Sequence, residues 1–200
     1  DEVSQQFTIT VSVATSGGSW NLVWSDEFDG STLNQDNWTI ETGDGSQYGI
    51  PGWGNNEQEW YQADNISLAD GHLVITAKEQ ASNGYPYTSG RLRSDNKDDI
   101  KYGRIEARVK TPLGQGLWSA FWMLPTNSQY GGWASGGEID IMEVLNLGTP
   151  DNENEAHGTL HFGMPWPLDA SSGVADVPIT DIEDFNLYAI EWQQDEIRWY

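Results

Sequence analysis

Gly136-Gly137-Glu138-Ile139-Asp140-Ile141-Met142-Glu143-Val144 reads as a β-strand with two different faces. Side chains alternate along a strand, so Glu138 and Asp140 share one face and Ile139 and Ile141 the other. Glu143 lies an odd number of positions from Glu138, and strict alternation would turn it toward the apolar side. One extra residue at Met142, a β-bulge, returns it to the acidic face; bulges re-aim side chains in this way beside active sites. Three carboxylates in one row repel one another, so at least one holds its proton near neutrality. Two-carboxylate glycoside chemistry needs such asymmetry, one group attacking and a protonated one supplying the leaving group. With the bulge, Glu138 and Glu143 stand about four strand steps apart, ~13 Å between Cα atoms. Two glutamates leaning together across that span reach the ~5–5.5 Å gap of retaining glycosidases more easily than the ~6.5–9.5 Å gap of inverting ones. A solvated acidic strand face and a calcium site compete with this reading. The strictly apolar opposite face, and a tryptophan just upstream at Trp133, favour catalysis.

Outward from this strand, short runs of the same kind recur: Leu73–Ala77, Gly103–Val109, Leu117–Leu124, Ala156–Phe162 and Tyr188–Trp192, separated by Gly, Asn, Asp and Pro clusters. None carries a long apolar stripe at helical spacing, and no repeat of fixed period is present. The pattern predicts an all-β sandwich or jelly roll. Two hundred residues make one ordinary domain, able to bury a core without covalent staples. With no cysteine, disulfides and thiolate metal sites are excluded. Residues 1–19 stand apart. Phe7–Val13 alternates apolar and hydroxyl residues like a strand, and Thr15-Ser16-Gly17-Gly18-Ser19 has linker composition. The segment is the remnant of an upstream module with its linker, or a first edge strand of the domain at 20–200. Ile197-Arg198-Trp199-Tyr200 reads as a strand in which the chain stops, so further strands are expected beyond it.

The chain has 31 acidic and 9 basic residues, a net charge of −22. Nucleic acid and anionic membrane surfaces would be repelled, whereas a neutral polysaccharide would not. The acids are scattered rather than gathered into a tail, which fits solubility. Eleven tryptophans and eight tyrosines exceed what a core needs. A surplus of flat aromatic faces suits a groove in which sugar rings stack. No apolar run approaches the roughly 20 residues of a membrane span. The opening Asp1-Glu2-Val3-Ser4-Gln5-Gln6 has no signal-peptide character, so secretion is inferred from the substrate class alone.

Glu138-Ile139-Asp140-Ile141-Met142-Glu143 resembles the signature of glycoside hydrolase family 16. The six-residue form resembles that of laminarinase-type members, the endo-β-1,3-glucanases, and departs from the five-residue form of lichenases and xyloglucan transglycosylases. Trp24–Gly30, Trp53–Tyr61, Gly116–Pro125 and His157–Phe162 resemble other family segments in the same order. The resemblance implies a concanavalin-like β-jelly roll of two curved antiparallel sheets with a concave cleft, in a secreted enzyme that hydrolyses internal β-1,3, and by extension β-1,3-1,4, glucan linkages. It implies Glu138 as nucleophile, Glu143 as general acid/base and Asp140 as assisting carboxylate. Trp133 would lie beside the scissile bond. No catalytic cofactor is implied; a structural calcium is, with Glu27 and the Gly71 backbone as ligands by position. The implied partner is a β-glucan, bound by a monomeric catalytic domain of a modular protein. An agarase-like galactan hydrolase and a non-catalytic carbohydrate-binding jelly roll remain alternatives.

Within Leu117–Leu124, alternation places Trp118, Ala120, Trp122 and Leu124 on one face. Trp118 and Trp122 are candidate sugar platforms, with the core as the competing place for Trp122. Asn56 and Arg91 are candidate donors to sugar hydroxyls, Arg91 competing with a surface ion pair. His157 and His161 lie four apart on one strand and face the same way. They are a metal pair in principle, but no third ligand suggests itself, and His157 is taken as a substrate-binding candidate.

Overall fold

The computed structural model describes residues 2–14, 19–152 and 154–200. Among them fifteen strands account for nearly all the regular structure, with three short 3-10 turns beside them. The chain divides into two compact units, one of residues 1–8 and 26–99, the other of residues 9–25 and 100–200.

In the first unit, β5 (Ile66–Ala69) and β6 (His72–Lys78) form a hairpin. Its turn residues Asp70 and Gly71 both have positive φ, 52° and 72°, the conformation that matches strand twist in a two-residue loop. Residues Glu2–Phe7 of β1 (Glu2–Ala14) pair antiparallel with Lys78–Leu73 of β6. Next to β6 lies β7 (Tyr87–Ser89), which pairs in parallel with β4 (Glu59–Tyr61). A separate ribbon joins β3 (Thr39–Glu41) to β8 (Arg91–Arg93). The buried Asn65 Nδ2 donates to Thr76 O and Thr88 Oγ1, tying the 3-10 turn before β5 to β6 and β7.

In the second unit, the later part of β1 lies beside β9 (Gly103–Lys110), β9 beside β14 (Asn186–Gln193), and β14 beside β15 (Glu196–Trp199). Also pairing with β1 is β2 (Trp20–Asp26). Strand β9 alternates cleanly: Ile105, Ala107 and Val109 are buried, and Arg104, Glu106, Arg108 and Lys110 are not. A second sheet has the order β10 (Trp118–Met123), β11 (Glu138–Leu145), β12 (Glu155–Gly163) and β13 (Asp169–Pro178), all antiparallel. Strand β11 packs against β14 of the first sheet. Ile139, Ile141, Met142, Val144, Ala156, Tyr188, Ala189 and Ile190 are among the buried side chains there.

The strand read at Phe7–Val13 lies within β1. Most of the linker composition at 15–19 falls on residues 15–18, outside the described residues. The strand read at Ile197–Tyr200 is β15, extended by a backbone pair between Tyr200 and Ala189.

The bulge expected in β11 is present. Against β10, Phe121 faces Met142 while Trp122 faces Asp140, so Ile141 is the residue left over. Against β12, Asp140 faces Thr159 and Glu143 faces His157, so Ile141 and Met142 together oppose Gly158. Both bulge side chains are buried. Gly158 has no side chain because Trp199 occupies the space: a Cβ there would come within 2.5 Å of Trp199 Cδ1. The same indole donates from Nε1 to the Asp140 carbonyl at 2.9 Å. Trp199 thus fits against Gly158 and fastens the backbone at the bulge. Gly158→Val should push Trp199 off this seat and destabilise the chain by about 1–3 kcal/mol. Urea unfolding monitored by tryptophan fluorescence would show it; an unchanged midpoint would mean that the indole moves aside freely.

Candidate active site

The bulge decides which side chains share a face. Directly paired residues point the same way, so Glu138, Asp140 and Glu143 on β11 lie on one face with His161, Thr159 and His157 on β12. Ala120 and Trp122 on β10 join them opposite Glu143 and Asp140. The structure thus gathers Trp118, Trp122, Trp133, His157 and the three acids around one strand.

Each outer glutamate is held by an indole. Trp118 Nε1 donates to Glu143 Oε1 at 2.9 Å, and Trp133 Nε1 donates to Glu138 Oε2 at 2.9 Å. Both rings also remain open to solvent, 50% and 41% exposed, so each can orient a carboxylate through its edge and still offer a face to a ligand. Trp122 is half-buried. Trp133 enters from a loop whose close turns need glycine. Gly137 has φ 86°, and a Cβ on Gly136 would meet Pro125 Cγ at 2.8 Å.

Asp140 is the buried member, 3% exposed. Burial first, then the charges of Glu138 and Glu143, push its carboxyl up to about 8. The proton expected somewhere in the row therefore sits on the middle acid at neutral pH. His161, facing Glu138 in register, brings Nε2 to 3.2 Å from Asp140 Oδ2 and 3.7 Å from Glu138 Oε1. The ring is tilted against Trp133, with centroids 5.3 Å apart. The Nε2–Oδ2 approach is close but poorly aligned, and Oδ2 accepts no hydrogen bond.

His161 is the residue that strand reading undervalued. Spacing put His157 and His161 on one face but could not say which one meets the acids. That depends on the β11–β12 register, which the bulge shifts. His157 instead brings Nδ1 to 2.7 Å from Asp176 Oδ1, its partner on β13.

Asn56 and Arg91 belong to the first unit. Asn56 is exposed, with φ 58° and its carbonyl accepting from Gln58 Nε2. Arg91 Nε pairs with the buried Glu41 at 2.9 Å, and its guanidinium lies 4.2 Å from the centroid of the buried Trp53 ring. This is the ion pair that competed with sugar binding in the sequence. Glu57 lies in the same unit; burial raises its carboxyl, and its Oε2 has no hydrogen-bond partner.

Of the residues implied for calcium, Glu27 is exposed, and Gly71 sits in the β5–β6 turn with Asp29 Oδ1 3.9 Å from its Cβ position. Calcium takes six to eight oxygens, and Glu27 with the Gly71 carbonyl would supply only part of such a set. Among the described residues, the set of three metal-ligand side chains that converge is Glu138, Asp140 and His161.

A four-stranded antiparallel sheet presents three acids between exposed tryptophans in an all-β jelly roll. The chain belongs to the glycosyl hydrolases family 16, whose model matches residues 54–200. The laminarinase catalytic domain from Thermotoga maritima MSB8 superposes with a TM-score of 0.80 at 40% identity, covering 91% of this chain and 74% of that one. The glucan endo-1,3-beta-glucosidase A1 of Niallia circulans is 38% identical over 216 residues, covering all of this chain and 31% of that protein. The beta-glucanase of Rhodothermus marinus is 40% identical over 189 residues, covering 90% of this chain and 62% of that protein. The chain therefore spans less than two thirds of the length of these two curated relatives.

The raised Asp140 has a consequence for stability. A carboxyl that ionises at about 8 when folded and near 3.8 when unfolded leaves the folded state holding more protons between those values. Its contribution is intact below about 4 and is lost as pH rises toward 8. Asp140→Asn removes that dependence. The variant should gain stability relative to the parent as pH goes from 5 to 9, read by urea unfolding at both. A gap independent of pH would mean that Asp140 is ionised throughout.

Proposed function

We propose that this chain is the catalytic part of a secreted, retaining endo-glycosidase acting on internal β-1,3 linkages of glucans, and on mixed β-1,3-1,4 glucan as well. The observation that carries the proposal is the bulged β11 row, in which Glu138, Asp140 and Glu143 share one face and the outer two are each oriented by an indole. The names of the relatives support the same substrate class.

Glu138 is the nucleophile. It attacks the anomeric carbon as the glycosidic bond breaks, and Glu143 delivers its proton to the departing oxygen. The result is a glycosyl ester on Glu138. Glu143, now ionised, takes a proton from water, whose oxygen attacks the same carbon and frees Glu138. Two displacements return the sugar with its original β-configuration. Opposite Glu138 and Glu143 in register are His161 and His157, four residues apart on β12 or ~13 Å along the strand. Glutamates leaning together over that span suit the short carboxylate gap of retaining enzymes. Asp140 holds the proton between them. A neutral Asp140 lets Glu138 carry its charge with one fewer like charge beside it. Trp118 and Trp133 supply ring faces for glucosyl units on either side of the cleavage point. The chemistry calls for no redox or organic cofactor.

The test is reducing-sugar release from laminarin, barley mixed-linkage glucan and agarose, with NMR of the first products. The expected pattern is release from laminarin, little from agarose, and a newly formed end that is β before mutarotation. Glu143→Gln should lower kcat on laminarin about 10²–10⁴-fold, and Glu138→Gln should abolish turnover while glucan affinity persists. A first product of α-configuration would refute the roles. Glucan binding without turnover in a chain extended at its C-terminus would favour the carbohydrate-binding alternative.

A further inference from the structure

Glu138 Oε1, Asp140 Oδ2 and His161 Nε2 converge so that all three lie within 4.8 Å of one another. The imidazole nitrogen is 3.2 Å from the aspartate oxygen and 3.7 Å from the glutamate oxygen. Ligands about 2.1 Å from a tetrahedral zinc stand about 3.4 Å apart, a value between those two distances. Asp140 is 3% exposed, yet Oδ2 has no hydrogen-bond donor, although the imidazole is near enough to provide one if it were aligned. A buried oxygen with unused lone pairs and a ring nitrogen therefore border one point, with a second carboxylate beside it.

We propose that this triad is a binding site for a divalent transition metal of the zinc class. The metal displaces the Asp140 proton to solvent, and one imidazole with two carboxylates then suits zinc, copper or nickel; calcium would take six to eight oxygens. The scaffold is rigid. Glu138 and Asp140 are alternate residues of β11, and His161 faces Glu138 on β12. Trp133 Nε1 holds Glu138 through Oε2 and leaves Oε1 turned toward the imidazole. Outer hydrogen bonds of this kind fix carboxylate ligands around metals. Three protein ligands leave a fourth position for water. The bound metal occupies the proposed nucleophile and so inhibits glucan cleavage reversibly. That consequence rests on the hydrolase reading, whereas the site itself rests on geometry.

The test is calorimetric titration of the chain with zinc chloride, with excess calcium present to fill weak carboxylate sites on this acidic surface. One zinc per chain is expected, with affinity lowered about tenfold or more, at least about 1.4 kcal/mol, in His161→Gln and little changed in His157→Gln. Cobalt(II) should give tetrahedral visible bands that zinc displaces. No zinc heat in the parent overturns the proposal, as does unaltered affinity in His161→Gln or loss in His157→Gln instead. Should His161→Gln fail to fold, zinc protection of His161 in the parent against diethyl pyrocarbonate, read by mass spectrometry, decides; equal labelling with and without zinc overturns it. In the same preparations, laminarin turnover without zinc binding would refute the site and leave the hydrolase standing. Zinc binding at His161 with no turnover would do the reverse.

Discussion

The bulge at Ile141–Met142 is the constraint on which the site depends. A regular β11 would send Glu143 into the core and Met142 to the groove. One additional residue keeps Ile139, the Ile141–Met142 pair and Val144 on the apolar side, and Glu138, Asp140 and Glu143 on the other. An irregularity of this kind needs support, because it interrupts the ladder and leaves backbone groups to be satisfied. Trp199 supplies it through the hydrogen bond to Asp140 O and its close fit on Gly158. The residue that fastens β11 therefore lies on β15, far along the chain and on the opposite face from the three acids.

Much of this was legible in the sequence because it is local. The acid spacing in Glu138–Glu143 is incompatible with plain alternation, so the bulge can be deduced from six residues. The strands at Leu73–Ala77, Gly103–Val109, Ala156–Phe162 and Tyr188–Trp192 are β-rich runs bounded by turn residues, and each lies inside an observed strand. Strand β13 escaped notice for the opposite reason. Asp169–Pro178 contains Ser171, Ser172, Gly173 and Asp176 and is largely exposed, and its strand character comes from pairing along the whole of β12. Edge strands carry little apolar signal of their own.

What the sequence could not supply is register, and with it the choice between partners. Two histidines four residues apart share a face whatever the alignment, but only strand pairing puts His161 opposite Glu138, and His157 between Glu143 on β11 and Asp176 on β13. Trp118 and Trp133 could be read as sugar platforms from their residue type. Their hydrogen bonds to Glu143 and Glu138 depend on a diagonal reach from β10 and on a loop path, which no periodicity encodes. Arg91 shows the same limit from the other side. Its ion pair with Glu41 is a direct cross-strand pair of β3 and β8.

The chemistry of the row follows from what stabilises it. A lysine or arginine beside three carboxylates would relieve their repulsion, but it would also clamp Glu138 in an ion pair and hold every acid ionised. Cationic side chains are engaged elsewhere: Arg91 and Arg93 with Glu41, Arg104 with Glu106 and Glu191, Arg198 with Glu196. At β11 the relief comes from a proton retained on Asp140 and two indole N–H groups. Indole donors fix the direction of a carboxylate without cancelling its charge. A protonated Asp140 separates Glu138 from Glu143 electrostatically. The double displacement proposed for the outer pair would draw on that separation, while the exposed surface of the row stays aromatic.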